Sequence, residues 1–483
     1  MRDAATWGKA RRQLPRACAM PHALLGFLAL AAGSAPLPVR AEPPTCELQD
    51  GDLDAALRAN FARLQERLAA KDSAQALAEA TAAASLIERC RGRAPDGGRG
   101  ALGKLQRLDQ QVSDLLPPRQ REALARRDLA LAEAVAGPES PEAALGLTEL
   151  ATDLKTLGRF GEAEPMLRRA LAIYEKLRGP EHADVAAALN NLAVVLSDLG
   201  REREAEPLKR RALAVRETLY GPEHPDVAQS LSNLAATLSA LGRAGEAEPL
   251  QRRALAIREK LFGPEHPDVA ISLNNLAAIL ENTGRFDEAE RLYRRALAIW
   301  EKVYGAEDPL VATGLDNLAA LLVNLGRRQE AEPLQRRALA IREKVYGPEH
   351  PGVALSLNNL SVTLSGLGRA GEAEPLARRA LKIREKVYGP EHPQVAQTVN
   401  NLAVVLRTLG RAREAEPLYR RALAIREKIY GPEHAEVAKI LDDLAETLRI
   451  LGRPGEAERL HRRALKIREA LGSRAAPVGH KPH

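Results

Sequence analysis

One period governs this chain. A glycine-arginine pair recurs as Gly158-Arg159, Gly200-Arg201, Gly242-Arg243, Gly284-Arg285, Gly326-Arg327, Gly368-Arg369, Gly410-Arg411 and Gly452-Arg453, each 42 residues after the last. Eight such units run from Gly137 to Gly472. A fixed period of this length specifies a repeat array. Each unit is too small to bury its apolar face alone, so neighbours stack and share one continuous core.

Composition decides the kind of array. Of the 483 residues 45% are hydrophobic but only 3% aromatic, so the core is built from Leu and Ala. Ala, Leu, Glu and Arg are strong helix formers, and the β-branched and aromatic strands of a propeller are missing. In the unit Gly263–Tyr304, Pro267 suits the first position of a helix and Asp268 its first turn, beside the positive end of the helix dipole. Leu273, Leu276, Ala277 and Leu280 share one face, and Gly284 reads as a left-handed C-cap. A second helix begins near Asp287-Glu288 and turns Ala289, Leu292, Ala296, Leu297 and Ile299 inward. The unit is a helical hairpin. Two positions hold alanine in all eight units, from Ala163 to Ala457 and from Ala170 to Ala464, which predicts close helix contacts at both. Six units carry a proline early in the second helix (Pro165, Pro207, Pro249, Pro333, Pro375 and Pro417). These helices are expected to start two to four residues before it, or to kink there.

Leu-Asn-Asn-Leu-Ala, Glu-Ala-Glu-Pro-Leu, Arg-Arg-Ala-Leu, Ile-Arg-Glu-Lys and Gly-Pro-Glu-His-Pro at these spacings resemble the tetratricopeptide repeat, in the 42-residue form of kinesin light chains. The resemblance covers residues 137–472. It implies an all-α fold, a right-handed α-solenoid of stacked hairpins whose first helices line a concave groove. In such grooves asparagine holds the backbone of an extended peptide. That points to Asn191, Asn233, Asn275, Asn317, Asn359 and Asn401 as peptide-binding residues, with Asp443 at the next rung and Glu149 at the first. An amide both donates and accepts, so it suits a peptide group of any sequence. The alternative is that each Asn bonds the neighbouring repeat or faces water. Asn190, Asn274, Asn358 and Asn400 adjoin this row, and Arg407, Lys439 and Arg449 are expected to reach the groove beside Asp442 and Glu446.

Other repeated residues read as structure. His182, His224, His266, His350, His392 and His434 recur a whole repeat apart, too far for one ion whose ligands lie about 2.0–2.1 Å from it. They are expected to be loop residues leading into the first helix. The arginine pairs from Arg168-Arg169 to Arg462-Arg463 follow Glu164 to Glu458 by four residues. Such pairs contribute about 0.2–0.5 kcal/mol each and describe a solvated face. No nucleophile elbow, phosphate loop or zinc-ligand cluster is present, so neither an enzyme, a cofactor nor a bound metal is expected.

The ends differ from the array. Ala23–Gly33 is an apolar run too short to span a bilayer, preceded by basic residues and followed by Val39-Arg40-Ala41. Residues 1–41 are expected to be a cleaved export signal, leaving no membrane span and a periplasmic or secreted protein. A cytoplasmic protein is the alternative if this leader is no signal. Removing it takes six of the 71 basic and one of the 64 acidic residues, so the net charge falls from +7 to +2. The basic stripe of a nucleic-acid binder does not survive. Residues 42–91 read as a helical hairpin with Cys46 before the first helix and Cys90 after the second, which favours a disulfide in an oxidising compartment over two separate thiols. Gly92 to Gly103 reads as a linker. The helices Lys104–Leu115 and Arg119–Ala136 then form a worn ninth unit, because Arg126-Arg127 precedes Arg168-Arg169 by 42 residues. A short tail, 473–483, closes the chain. The expected function is a non-enzymatic scaffold for a protein or extended peptide segment. The alternative is a structural spacer or assembly factor in a cell-envelope complex.

Overall fold

The computed structural model describes Cys46, residues 52–90, Ala94 and residues 96–475. The expected export signal lies outside these residues, as does most of the expected tail. Among the described residues there are twenty helices and no strand. The first helices of the eight units are α5 (Pro141–Thr156), α7 (Ala183–Asp198), α9 (Pro225–Ala240), α11 (Pro267–Asn282), α13 (Pro309–Asn324), α15 (Pro351–Gly366), α17 (Pro393–Thr408) and α19 (Ala435–Ile450). The second helices are α6 (Phe160–Arg178), α8 (Glu202–Tyr220), α10 (Ala244–Phe262), α12 (Phe286–Tyr304), α14 (Arg328–Tyr346), α16 (Ala370–Tyr388), α18 (Ala412–Tyr430) and α20 (Pro454–Ala475).

The local chemistry of one unit explains the hairpin. His266 caps α11: its Nδ1 accepts from the Asp268 N–H at 3.1 Å, and Pro267 follows at the first helical position. Gly284 ends the helix at φ 77°, where its N–H donates to Glu281 and the next N–H, of Arg285, reaches back to Leu280. The chain then enters α12 directly. The repeated alanines are all buried, from Ala163 to Ala457 in one set and from Ala170 to Ala464 in the other. Leu292 is only half-buried; Tyr293 and Trp300 take the buried places beside Ala289 and Ala296.

Two expectations are corrected. The second helices begin five residues before their prolines, not two to four: α6 starts at Phe160 and runs through Pro165. Pro165 would have served the carbonyl of Gly161, in the first turn, where solvent can take over that acceptor. The linker 92–103 is also shorter than expected, because α3 (Arg99–Ser113) starts inside it. Asp96 accepts from the N–H groups of Gly98 and Gly100 at 2.9 and 2.6 Å and so caps this helix early. Those bonds hold the Asp96 carboxyl below the usual carboxylate range.

Before the eight units stand α1 (Asp52–Ala69), α2 (Ser73–Cys90), α3 and α4 (Pro118–Ala136). Cys46 and Cys90 are bonded, their Cα atoms 5.0 Å apart. The first helices of successive units pack on one another, α9 on α11 and α15 on α17. They therefore line the inside of the curve, and the second helices spread over its outside.

Candidate peptide-binding face

The inner face is set by which first-helix positions stay out of the core. Through the middle of α11 these are Ile271, Asn275 and Ala278, all half-buried, while Asp268, Glu281 and Asn282 stay out of the core at its two ends. At the Ile271 position, units two to seven carry Ala187, Gln229, Ile271, Thr313, Leu355 and Gln397; at the Ala278 position they carry Val194, Ala236, Ala278, Ala320, Val362 and Val404. Between these two rows runs the asparagine row, Asn191 to Asn401, half-buried throughout. For six units these three rows hold no charged residue.

The asparagines are of two kinds. Asn233 Nδ2 donates to Asn190 Oδ1 of the preceding unit at 2.7 Å, Asn317 to Asn274 at 2.8 Å, and Asn401 to Asn358 at 3.0 Å. Gln229 also donates to Asn233 Oδ1 at 2.9 Å, and Asn359 bonds Asp316. These rungs spend hydrogen-bonding capacity on holding neighbouring units in register. Asn191 and Asn275 differ. Their counterparts one unit back are Thr148 and Ser232, and Thr148 already donates to the Ala144 carbonyl. No hydrogen bond joins either pair among the described residues. The side chains of Asn191 and Asn275 remain able to meet a peptide group.

Both ends of the row become charged. At the first rung, Glu149 is half-buried near Asp128 and Asp153, and loss of water with these two carboxylates beside it pushes its carboxyl up to about 8. Asp109 rises likewise to about 8, although Arg127 bonds it. At the far end, Arg407 donates to the Asp443 carboxylate at 3.2 Å. Asp442 does not join the groove. It is held by His461 and Arg468 of α20. Lys439 and Arg449 pair with Glu436 and Glu446 on their own helix.

The outside is an ion-pair lattice. Arg168 bonds Glu164 within its helix at 2.8 Å, and Arg201 of the next unit bonds the other oxygen of Glu164 at 2.6 Å. The same bridge recurs from Arg159–Glu122 to Arg453–Glu416. The arginine of each Gly-Arg pair thus crosses the junction, as do the second arginine of the Arg-Arg pair, in Arg211–Glu175, and a lysine near the helix end, in Lys302–Glu265. Glu206 and Glu374 are held below the usual range by such arginines despite partial burial.

Residues 142–470 match the tetratricopeptide repeat in overlapping segments. The chain belongs to the tetratricopeptide repeat family. A kinesin light chain-like protein of Podosopora anserina with nearly identical TPR-like repeats is 30% identical; the match covers 43% of this chain and 98% of that one, with a TM-score of 0.37. BtubC of P. vanneervenii is 25% identical over 50% of this chain and 94% of its own, with a TM-score of 0.40. A Rap protein, solved in complex with competence and sporulation factor, matches 87% of this chain and 99% of its own at 15% identity and a TM-score of 0.51, which speaks for the fold alone. Comparison with curated proteins finds no match.

Within this tetratricopeptide array the histidine row is structural. His182, His224, His266, His350, His392 and His434 each cap a first helix through Nδ1. Five of these rings also stack on the aromatic four residues before them, as Tyr220 on His224 at 4.5 Å and Tyr430 on His434 at 4.0 Å. Among the described residues no group of three or more His, Cys, Asp or Glu is placed to hold a metal. Sequence reasoning missed an arginine row, half-buried at Arg216 and buried at Arg258, Arg342 and Arg384. Arg216, Arg258, Arg342 and Arg384 reach Ser230, Ser272, Ser356 and Thr398 of the following unit. The signal was present: each arginine precedes its hydroxyl by 14 residues. Where Trp300 replaces arginine, the partner position is Gly314, and a Cβ there would meet the indole at 3.0 Å.

Proposed function

We propose that this chain is a protein-binding scaffold whose inner face holds an extended, largely uncharged segment of a partner. The observation that carries the reading is the inner face itself. Asn275 and Asn191 are exposed enough to meet a peptide backbone and are not engaged across a junction, and they lie between rows of uncharged side chains, apolar beside these two asparagines (Ala187 and Val194, Ile271 and Ala278). A peptide backbone bonded to such amides loses few contacts with water that are not replaced, and apolar side chains fill the space over Ala236, Ala278 and Ala320. Charged side chains would be desolvated there without a counter-charge. The ends support the same reading. The outer faces of α1 and α20 are largely charged, with Arg58, Arg63 and Glu66 on one and Glu458, Arg459 and Arg462 beside the exposed Leu465 on the other, so neither helix presents a broad apolar face.

The test separates the two kinds of asparagine. Asn191→Ala with Asn275→Ala is expected to weaken partner affinity about tenfold or more while leaving the melt unchanged, because each lost backbone bond is worth about 0.5–1.5 kcal/mol. Affinity equal to wild type in that double variant would count against the inner face. We further infer export and maturation after Ala41; the Cys46–Cys90 bond supports an oxidising compartment. N-terminal sequencing of protein from fractionated cells tests this, and an intact leader in the cytoplasmic fraction would contradict it.

A further inference from the structure

Along the edge where each second helix ends, a ridge of apolar side chains faces solvent. Leu177, Leu219, Leu261, Val303 and Val345 are 43 to 47% exposed. In unit seven the same position holds Ile429, only 4% exposed. Beside it the Lys428 side chain is 13% exposed, whereas its equivalents Lys176, Lys302 and Lys344 are 64 to 66% exposed. The residues are of the same kind, an aliphatic side chain after a lysine in units one, four, five and seven, so what covers them must differ.

The covering comes from the start of the array. The Gly158 turn of unit one lies against His392 and Pro393 of unit seven; a methyl group on Gly158 would stand 2.5 Å from the His392 ring. Asp198, beside the matching turn of unit two, lies close enough for its charge to act on the Tyr430 phenol. The superhelix therefore completes a turn, and the hairpin turns of units one and two seat on the ridge of units six and seven. Two edges are left over. The ridge of units one to five is uncovered. The turns of units three to eight are free as well: Gly158 is buried, but the glycines from Gly242 to Gly452 are exposed, and a methyl group on any of them would have nothing within 4 Å.

We propose that a second copy of this chain covers the ridge, its free turns seating on the exposed side chains from Leu177 to Val345. The contact that one molecule makes with itself is then repeated between molecules. Both sides carry the residues that already fit within one chain: the turns repeat Leu-Gly-Arg, as in Leu157-Gly158-Arg159 and Leu367-Gly368-Arg369, and the ridge repeats Leu, Val or Ile before an aromatic or arginine. Such docking is heterologous. Each molecule has one ridge and one row of turns, so copies continue the superhelix end on end and do not close as a dimer. The inference concerns an outer edge and is independent of what the inner face binds.

Sedimentation of natively purified protein across a wide concentration range tests it. The mass is expected to rise with concentration without levelling at two copies. Leu219→Glu with Leu261→Glu, both exposed, is expected to keep the wild-type melt and to remain monomeric. That variant retains its free turns, so adding it in excess to wild type is expected to shorten the stacks by capping them. A monomeric wild type at every concentration would overturn the proposal. So would association that the ridge variant retains, or wild-type stacks that the ridge variant fails to shorten.

Discussion

At the scale of residues, the buried polar groups are the sharpest commitments. Arg342 and Asp316 form an ion pair in which both side chains are under one-tenth exposed. Removing one partner leaves a charge in a dry wall, so Asp316→Ala is expected to cost about 3–5 kcal/mol, and Asp316→Ala with Arg342→Met to recover most of it. Chemical denaturation of the two variants measures the difference; equal losses would mean that Arg342 finds water. Ala296, wholly buried between α12 and its neighbours, is expected to lose about 1–3 kcal/mol as Ala296→Leu, read as a lower melting temperature. The alanine rows could be read from sequence because identity at a fixed register is itself the signal. The arginine-to-hydroxyl row, present at four junctions, was hidden because a helix-borne arginine ordinarily reads as a solvated face. The joint exchange of Arg for Trp300 and of Ser for Gly314, 14 residues apart like the other pairs, betrays a packed pair.

At the scale of elements, the helix starts and stops followed from capping chemistry, and the two errors came from competition between signals. Pro165 reads as a near-start, yet the Gly158-Arg159 turn launches α6 earlier and the proline is accommodated. The linker reads as turn-rich, yet Asp96 caps α3 within it. The turn glycines give a test of the superhelical contact. Gly242→Ala introduces only the strain of a left-handed backbone, φ 74°, of about 1–2 kcal/mol. Gly158→Ala adds a clash with His392, so it is expected to melt lower than Gly242→Ala and to speed amide exchange around 387–393. Equal behaviour of the two would deny the contact. The first units carry a pH dependence of their own. Below about pH 4 Asp109 and Glu149 are protonated whether the chain is folded or unfolded. Between there and their folded values near 8 the unfolded chain releases protons that the folded chain keeps, so stability falls as pH rises. Amide exchange in α4 and α5 is expected to be faster at pH 8 than at pH 5 after correction for intrinsic rates.

At the scale of the whole molecule, the repeat number and the layering of helices were legible in the period alone, because each unit contacts chiefly its neighbours. The contact between units one and seven was not, since superhelical rise depends on small rotations summed over many junctions. The inner face was half legible. Its asparagines were visible as a row, but the division into Asn233, Asn317 and Asn401, which tie units together, and Asn191 and Asn275, which do not, required the registry of facing helices. The central claim is that a partner lies along the inside of the curve. A photo-crosslinking residue placed in turn at Ala236, Ala278 and Ala320 on the inside, and at Arg294 on the outside, tests it most directly. The inner positions are expected to capture consecutive parts of one extended, weakly charged segment, and Arg294 to capture none of it; capture from Arg294 with none from the inner positions would contradict the account.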